Sequence, residues 1–162
     1  MEKTQWYIGA PNAVVLCFNR GGGKLSGELY HSYREEPTPF KNPDQMLRHM
    51  EELYDWLQFP FPGTNERSFI PSEKHGGRPH ERKKIMSDET LLSKHGDIGT
   101  FIVRVQHRQN SSWQGRLTWM EEDKTISFRS IWEMIKLIES AVDSVSVSDE
   151  DEEEPTWFPE EN

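Results

Sequence analysis

Cysteine is almost absent: Cys17 is the single one in 162 residues, so no internal disulfide can staple the fold. Its place in an apolar run gives it the part of a small buried hydrophobe, not of a nucleophile. Long apolar runs are missing too, since no stretch approaches the ~20 residues of a membrane span. The opening MEKTQWYIGA lacks the charged start and apolar run of a secretory leader. A cytoplasmic chain with no membrane contact is therefore expected. Excess positive charge is lacking overall, at a formal net charge of −9. Residues 149–162 hold eight carboxylates and no cation, which leaves the rest at −1. The acidity belongs to the tail, and the nearly neutral body keeps nucleic acid open as a partner.

Catalytic signatures are equally sparse. Gly21-Gly22-Gly23-Lys24 has the glycines of a phosphate loop, but Leu25 follows the lysine where Ser or Thr is needed. The segment also joins two strand-like stretches, which makes it a hairpin turn. His75 and His80 have neither the cysteines nor the i, i+4 helical spacing of a metal site. Glu35-Glu36 and Glu121-Glu122-Asp123 are neighbours in turns, where carboxylates point apart instead of facing each other across a cleft. No nucleophile–base constellation stands out among the six histidines. The expectation is a protein that is not an enzyme and takes no cofactor or metal.

What the chain does have is pattern. Phe101, Val103 and Val105 alternate with Arg104, Gln106 and Arg108, the period of a half-buried strand. After a turn, Trp113, Leu117 and Trp119 alternate with Gln114, Arg116 and Thr118, and a third short strand at 124–128 points Ile126 and Phe128 inward. The period then lengthens to that of a helix. Ser130 and Glu133 form a capping box, and Ile131, Met134, Ile135, Ile138, Ala141, Val142 and Val145 make one stripe.

The same layout recurs 88 residues earlier: strands over 13–20 and 25–32, a short third near 38–40, and a helix opened by Asn42, Pro43 and Gln45. Gly27 falls on Gly115, Leu29 on Leu117, Phe40 on Phe128 and Met46 on Met134. The fold class this predicts is α+β, built from tandem duplicated βββα units that share a core, since each unit is near the lower size limit for folding alone. The boundaries are 1–58 for the first unit with its extension, 59–99 for a Pro/Gly-rich linker, 100–146 for the second unit and 147–162 for a disordered acidic tail.

One asymmetry separates the two copies. At this offset Val14, Leu16, Phe18 and Tyr30 fall on the outward phase, where the second copy has Ile102, Arg104, Gln106 and Thr118. An apolar face on both sides of a sheet needs covering on both, so these four are candidate protein-binding residues. Trp157 and Phe158 stand among the tail's carboxylates and are candidate anchors of the same kind. A basic stretch with Lys74, Arg78, Arg82, Lys83 and Lys84, together with the outward row Arg104, Arg108 and Arg116, forms the candidate anion or nucleic-acid contact.

Trp113-Gln114-Gly115, Phe128-Arg129-Ser130 and the helix start Trp132-Glu133-Met134 give residues 100–142 a WQG…FRS pattern. In this it resembles a group of small bacterial proteins. The resemblance implies a compact α+β module and a bacterial source, and supplies no activity, ligand or catalytic residue. Two function classes follow from the residues themselves. The first is a non-catalytic regulatory or adaptor protein that binds another protein or a second copy of itself. The alternative is a nucleic-acid-binding module using the polar face of the second unit and the basic linker. The arginine row carries no stacking rings, because Trp113 and Trp119 take the inward phase, and this favours the first class.

Overall fold

The computed structural model describes residues 8–60, 69, 82–108 and 112–149. Lys74, Arg78, Trp157 and Phe158 lie outside the described residues. The elements in chain order are β1 (Val14–Phe18), β2 (Gly27–His31), β3 (Arg34–Phe40), α1 (Pro43–Leu57), α2 (Asp88–Leu92), β4 (Gly99–His107), β5 (Gln114–Trp119), β6 (Lys124–Phe128) and α3 (Ile131–Asp149).

The strands form one antiparallel sheet in the order β3-β2-β1-β4-β5-β6, so the chain is α+β. Two meanders meet at the centre. There β1 pairs with β4 around Val15 opposite Ile102, with Val14 opposite Val103 and Leu16 opposite Phe101. The outermost strands are β3 and β6.

Local chemistry explains where the helices begin. Asn42 caps α1 by accepting from the Gln45 N–H at 2.9 Å, Pro43 takes a first-turn position that needs no donor, and Gln45 Oε1 accepts from the Lys41 N–H. Ser130 Oγ accepts from the Glu133 N–H at 3.1 Å at the head of α3. Ser87 does the same for Thr90 in the short α2.

One continuous core lies between the sheet and the two long helices. Met46, Met50, Leu53, Tyr54 and Leu57 of α1 and Met134, Ile135, Ile138, Ala141 and Val142 of α3 pack on Val14, Leu16, Phe18, Phe101, Val103 and Leu117. A smaller cluster covers the centre of the opposite face, where Ile8, Met86 and Leu91 pack on Val15, Cys17 and Ile102. The stretch 82–99 is thus tied to the sheet, with Ser32 O accepting from the N–H groups of Ile85 and Met86.

Strand phase in β1 differs from the sequence reading. Val14, Leu16 and Phe18 lie on the helix side, each 0 % exposed, while Val15 and Cys17 face the smaller cluster. Directly opposite residues of paired strands share a face, so pairing with Val103 and Phe101 fixes the phase. The cause of the misreading is one residue. Phe18 pairs with Gly27 in the first hairpin, whereas Val105 pairs with Gly115 in the second, a spacing longer by one residue, which falls at a bulge between Val105 and His107. The offset that aligns β2 with β5 therefore puts β1 one step out of phase with β4.

Candidate functional site

Buried at the centre of the sheet, Val14, Leu16 and Phe18 present no surface in the monomer. Tyr30 is half-buried on the opposite face, donating its hydroxyl to Glu28 at 2.7 Å with the Lys94 ammonium 5.2 Å from its ring centre. Burial and the Glu28 carboxylate push its phenol up to about 12. The apolar face expected of the first unit is core.

The arginine row is also redistributed. A bulge between Val105 and His107 reverses the alternation at the end of β4. Arg108 consequently turns to the helix side and is 5 % exposed, donating to Pro60 O at 2.8 Å and Asp55 Oδ1 at 2.9 Å beside the Tyr54 ring. It stitches the end of α1 to β4 and offers no surface to a phosphate. Arg104 keeps the outward phase but is held by Ile8 O at 2.7 Å and Thr118 Oγ1 at 3.3 Å. Arg116, directly across from it, is exposed. In the basic stretch, Arg82 lies 4.3 Å over the Trp56 ring at the carbonyl end of α1, Lys84 pairs with Asp88 at 3.5 Å, and Lys83 is exposed. These cations are scattered over different faces.

The glycine-rich turn serves the fold. Lys24 reaches Glu139 at 3.5 Å and Asp143 at 3.6 Å, and so ties the β1–β2 hairpin to α3. Cys17 is buried, and burial with nearby Glu28 and Glu121 pushes its thiol up to about 12, which removes it as a nucleophile at ordinary pH. Among the described residues, no three His, Cys, Asp or Glu side chains gather as a metal site, and no described helix is long and apolar enough to cross a membrane.

A concave site does exist, in a place the sequence did not single out. A groove of about 480 Å³ runs between α3 and the outer strands β5 and β6, within the size range of about 300–1,000 Å³ usual for ligand sites. Its floor is Phe101, Leu117 and Trp119, and its walls are Leu137 and Ala141 of α3 and Ile126 of β6. Glu122, Lys124, Ser140 and Ser144 stand at its lip. The groove exists because α3, which touches β4, β5 and β6, packs over Leu117 and Phe128 and leaves Ile126 of β6 half uncovered. Ile126, on the helix side opposite Leu117, remains 49 % exposed. The floor is preorganised: Trp119 stacks on Phe101 with ring centres 6.3 Å apart, and its indole Nε1 is shielded from solvent with no hydrogen-bond partner.

Among the described residues the edge beside the groove is open: the outer side of β6 pairs with no described strand, and Lys124–Ser127 are exposed. The opposite edge differs in chemistry. β3 carries Pro37 and Pro39, which lack donors, and the charged Arg34, Glu35 and Glu36, all devices that discourage pairing. Where β6 has Ile126 opposite Leu117, β3 has Thr38 opposite Leu29. Period-two patterning marked Ile126 as inward correctly, but its exposure depends on where α3 crosses the sheet, which no local pattern encodes.

No family model, curated protein or solved structure matches the chain.

Proposed function

We propose that the protein is a non-catalytic adaptor that binds another protein by taking an extended segment of it along β6, with an apolar side chain in the groove under α3. The observation that carries this reading is the pairing of an unprotected strand edge with half-exposed Ile126 and an apolar groove. Edge pairing supplies affinity through main-chain hydrogen bonds, while the groove selects a side chain. The same reading treats the halves as two copies of a βββα unit, one with its outer edge closed by prolines and the other left open for binding. Its support lies in the matching registers, Gly27 to Phe40 and Leu29 to Thr38 against Gly115 to Phe128 and Leu117 to Ile126, and in the reciprocal pairing about Val15 and Ile102. The nucleic-acid alternative is left with Arg116 as the one exposed arginine of its sheet row.

Selection from a peptide library displayed against the full chain tests the proposal. Selected peptides are expected to share an aromatic or aliphatic anchor and to shift the amide resonances of Lys124–Phe128. Ile126→Lys, a change at a half-exposed position, is expected to weaken binding about tenfold or more. Peptides that bind regardless of Ile126 would refute the groove. Binding of a labelled single-stranded oligonucleotide that is lost in Arg116→Glu would decide for the alternative.

A further inference from the structure

We infer that the groove is occupied in cis by the chain's own residues 153–158, which add to the open edge of β6 with Phe158 in the groove, so that a partner must displace them. The inference rests on the peptide-binding reading of that groove. Its starting point is a repeated hexapeptide. Glu35-Glu36-Pro37-Thr38-Pro39-Phe40 is most of β3, and Glu153-Glu154-Pro155-Thr156-Trp157-Phe158 repeats it with one change, Pro39 to Trp157.

The first of these hexapeptides is an edge strand, and its use shows how such a sequence fits. Thr38 and Phe40 lie opposite Leu29 and Gly27, and Phe40 is buried in the core under the helix layer. Pro37 and Pro39 take the alternate phase, where a missing N–H costs no ladder bond. In the second hexapeptide Thr156 and Phe158 take the phase of Thr38 and Phe40. Pro155 and Pro159 then both fall on the outward phase, so the new edge ends the sheet as β3 ends the other.

Chain geometry sets the direction. The groove lip at Lys124 and Glu122 also includes Ser144, so the carboxyl end of α3 lies at the start of β6. From Asp149 back to the level of Ser144 is about 8 Å along the helix axis at ~1.5 Å per residue. The four residues to Glu153 span up to about 13 Å at ~3.3 Å each, enough to turn and enter the groove. The tail then runs in the direction of β6, bringing Phe158 beside Ile126 and Leu137 in the groove and placing Glu160 and Glu161 toward the exposed Arg129. Glu122 offsets Lys124 at the entry, so the fit rests on the strand edge and Phe158, not on net charge.

The test uses the full chain with Glu160→Cys carrying a nitroxide, Cys17 being shielded from the reagent. Expected is selective broadening of the Ile126, Ser127 and Leu137 amide signals. The broadening disappears with Phe158→Asp, and it is absent when isotope-labelled chain without the nitroxide is mixed with unlabelled nitroxide-bearing chain. A library-selected peptide is expected to bind the Phe158→Asp chain about tenfold or more tighter, since it no longer competes with a tethered segment. No broadening, broadening that survives Phe158→Asp, or broadening seen in the mixed sample would each overturn the inference. If these fail while the peptide still shifts Lys124–Phe128, the cis occupant falls and the groove stands; if the peptide fails as well, both fall.

Discussion

Gly27 and Gly115 each lie where a Cβ would meet the backbone carbonyl of the neighbouring strand, Cys17 O in one case and Arg104 O in the other. Backbone cannot rotate aside as a side chain can, so Gly115→Ala is expected to destabilise by about 3 kcal/mol, at the upper end of ordinary overpacking. Urea midpoints check this, and a loss below about 1 kcal/mol would show that the strands slide apart freely. His31 is a second residue whose environment does the explaining. Burial first, and Arg34 second, hold its imidazole down to about 4 from the usual 6.5, and the neutral ring accepts from the Tyr33 N–H at 3.1 Å. The unfolded chain takes up that proton near pH 6.5 and the folded chain only near 4. The contribution is therefore complete above 6.5 and lost as pH falls through this window. His31→Asn keeps an acceptor and does not titrate, so its urea midpoint is expected to fall less than that of the wild type between pH 6.5 and 4; an equal fall would assign the loss to other groups. Cys17 is expected to stay unreactive toward a disulfide reagent at pH 8 until the chain unfolds, measured as thiol release with and without urea.

At the scale of elements, the two long helices owe their starting points to single side chains. Asn42→Ala and Ser130→Ala are each expected to cost about 1 kcal/mol by removing the acceptor for a first-turn N–H. The double variant is expected to lose their sum, because separate helix ends share no partner; a shortfall in urea denaturation would reveal coupling through the sheet. These elements were legible in the sequence because caps, stripes and alternation are local. What was not legible hung on single-residue shifts. One extra residue at the bulge between Val105 and His107 put β1 out of phase with β4 at the offset that aligns β2 with β5, and it turned Arg108 from the surface into the core. The groove was beyond local reading for another reason: it is the space left where α3 covers Leu117 and stops short of Ile126.

At the scale of the molecule, the central pairing decides how the halves depend on each other. β1 belongs to the first meander and β4 to the second, yet their partners fill one core, in which Phe18 meets Phe40 at 5.6 Å and Phe101 at 5.5 Å between ring centres. Arg108 adds a buried tie from β4 to Asp55 of α1. Each half exposes a large part of this core if the other leaves, so neither has a stable state to retreat to, and a chain of this length is expected to unfold in one step. The measurement is the urea dependence of resolved amide signals from α1 and from α3, which are expected to disappear at one midpoint. Leu16→Ala, at the centre of β1, removes contacts to both helices' side of the core and is expected to cost about 2–5 kcal/mol while moving the two midpoints together. Were α3 and β4–β6 to persist after α1 had melted, the halves would be autonomous domains, and a partner seated at β6 would be felt by the second half alone.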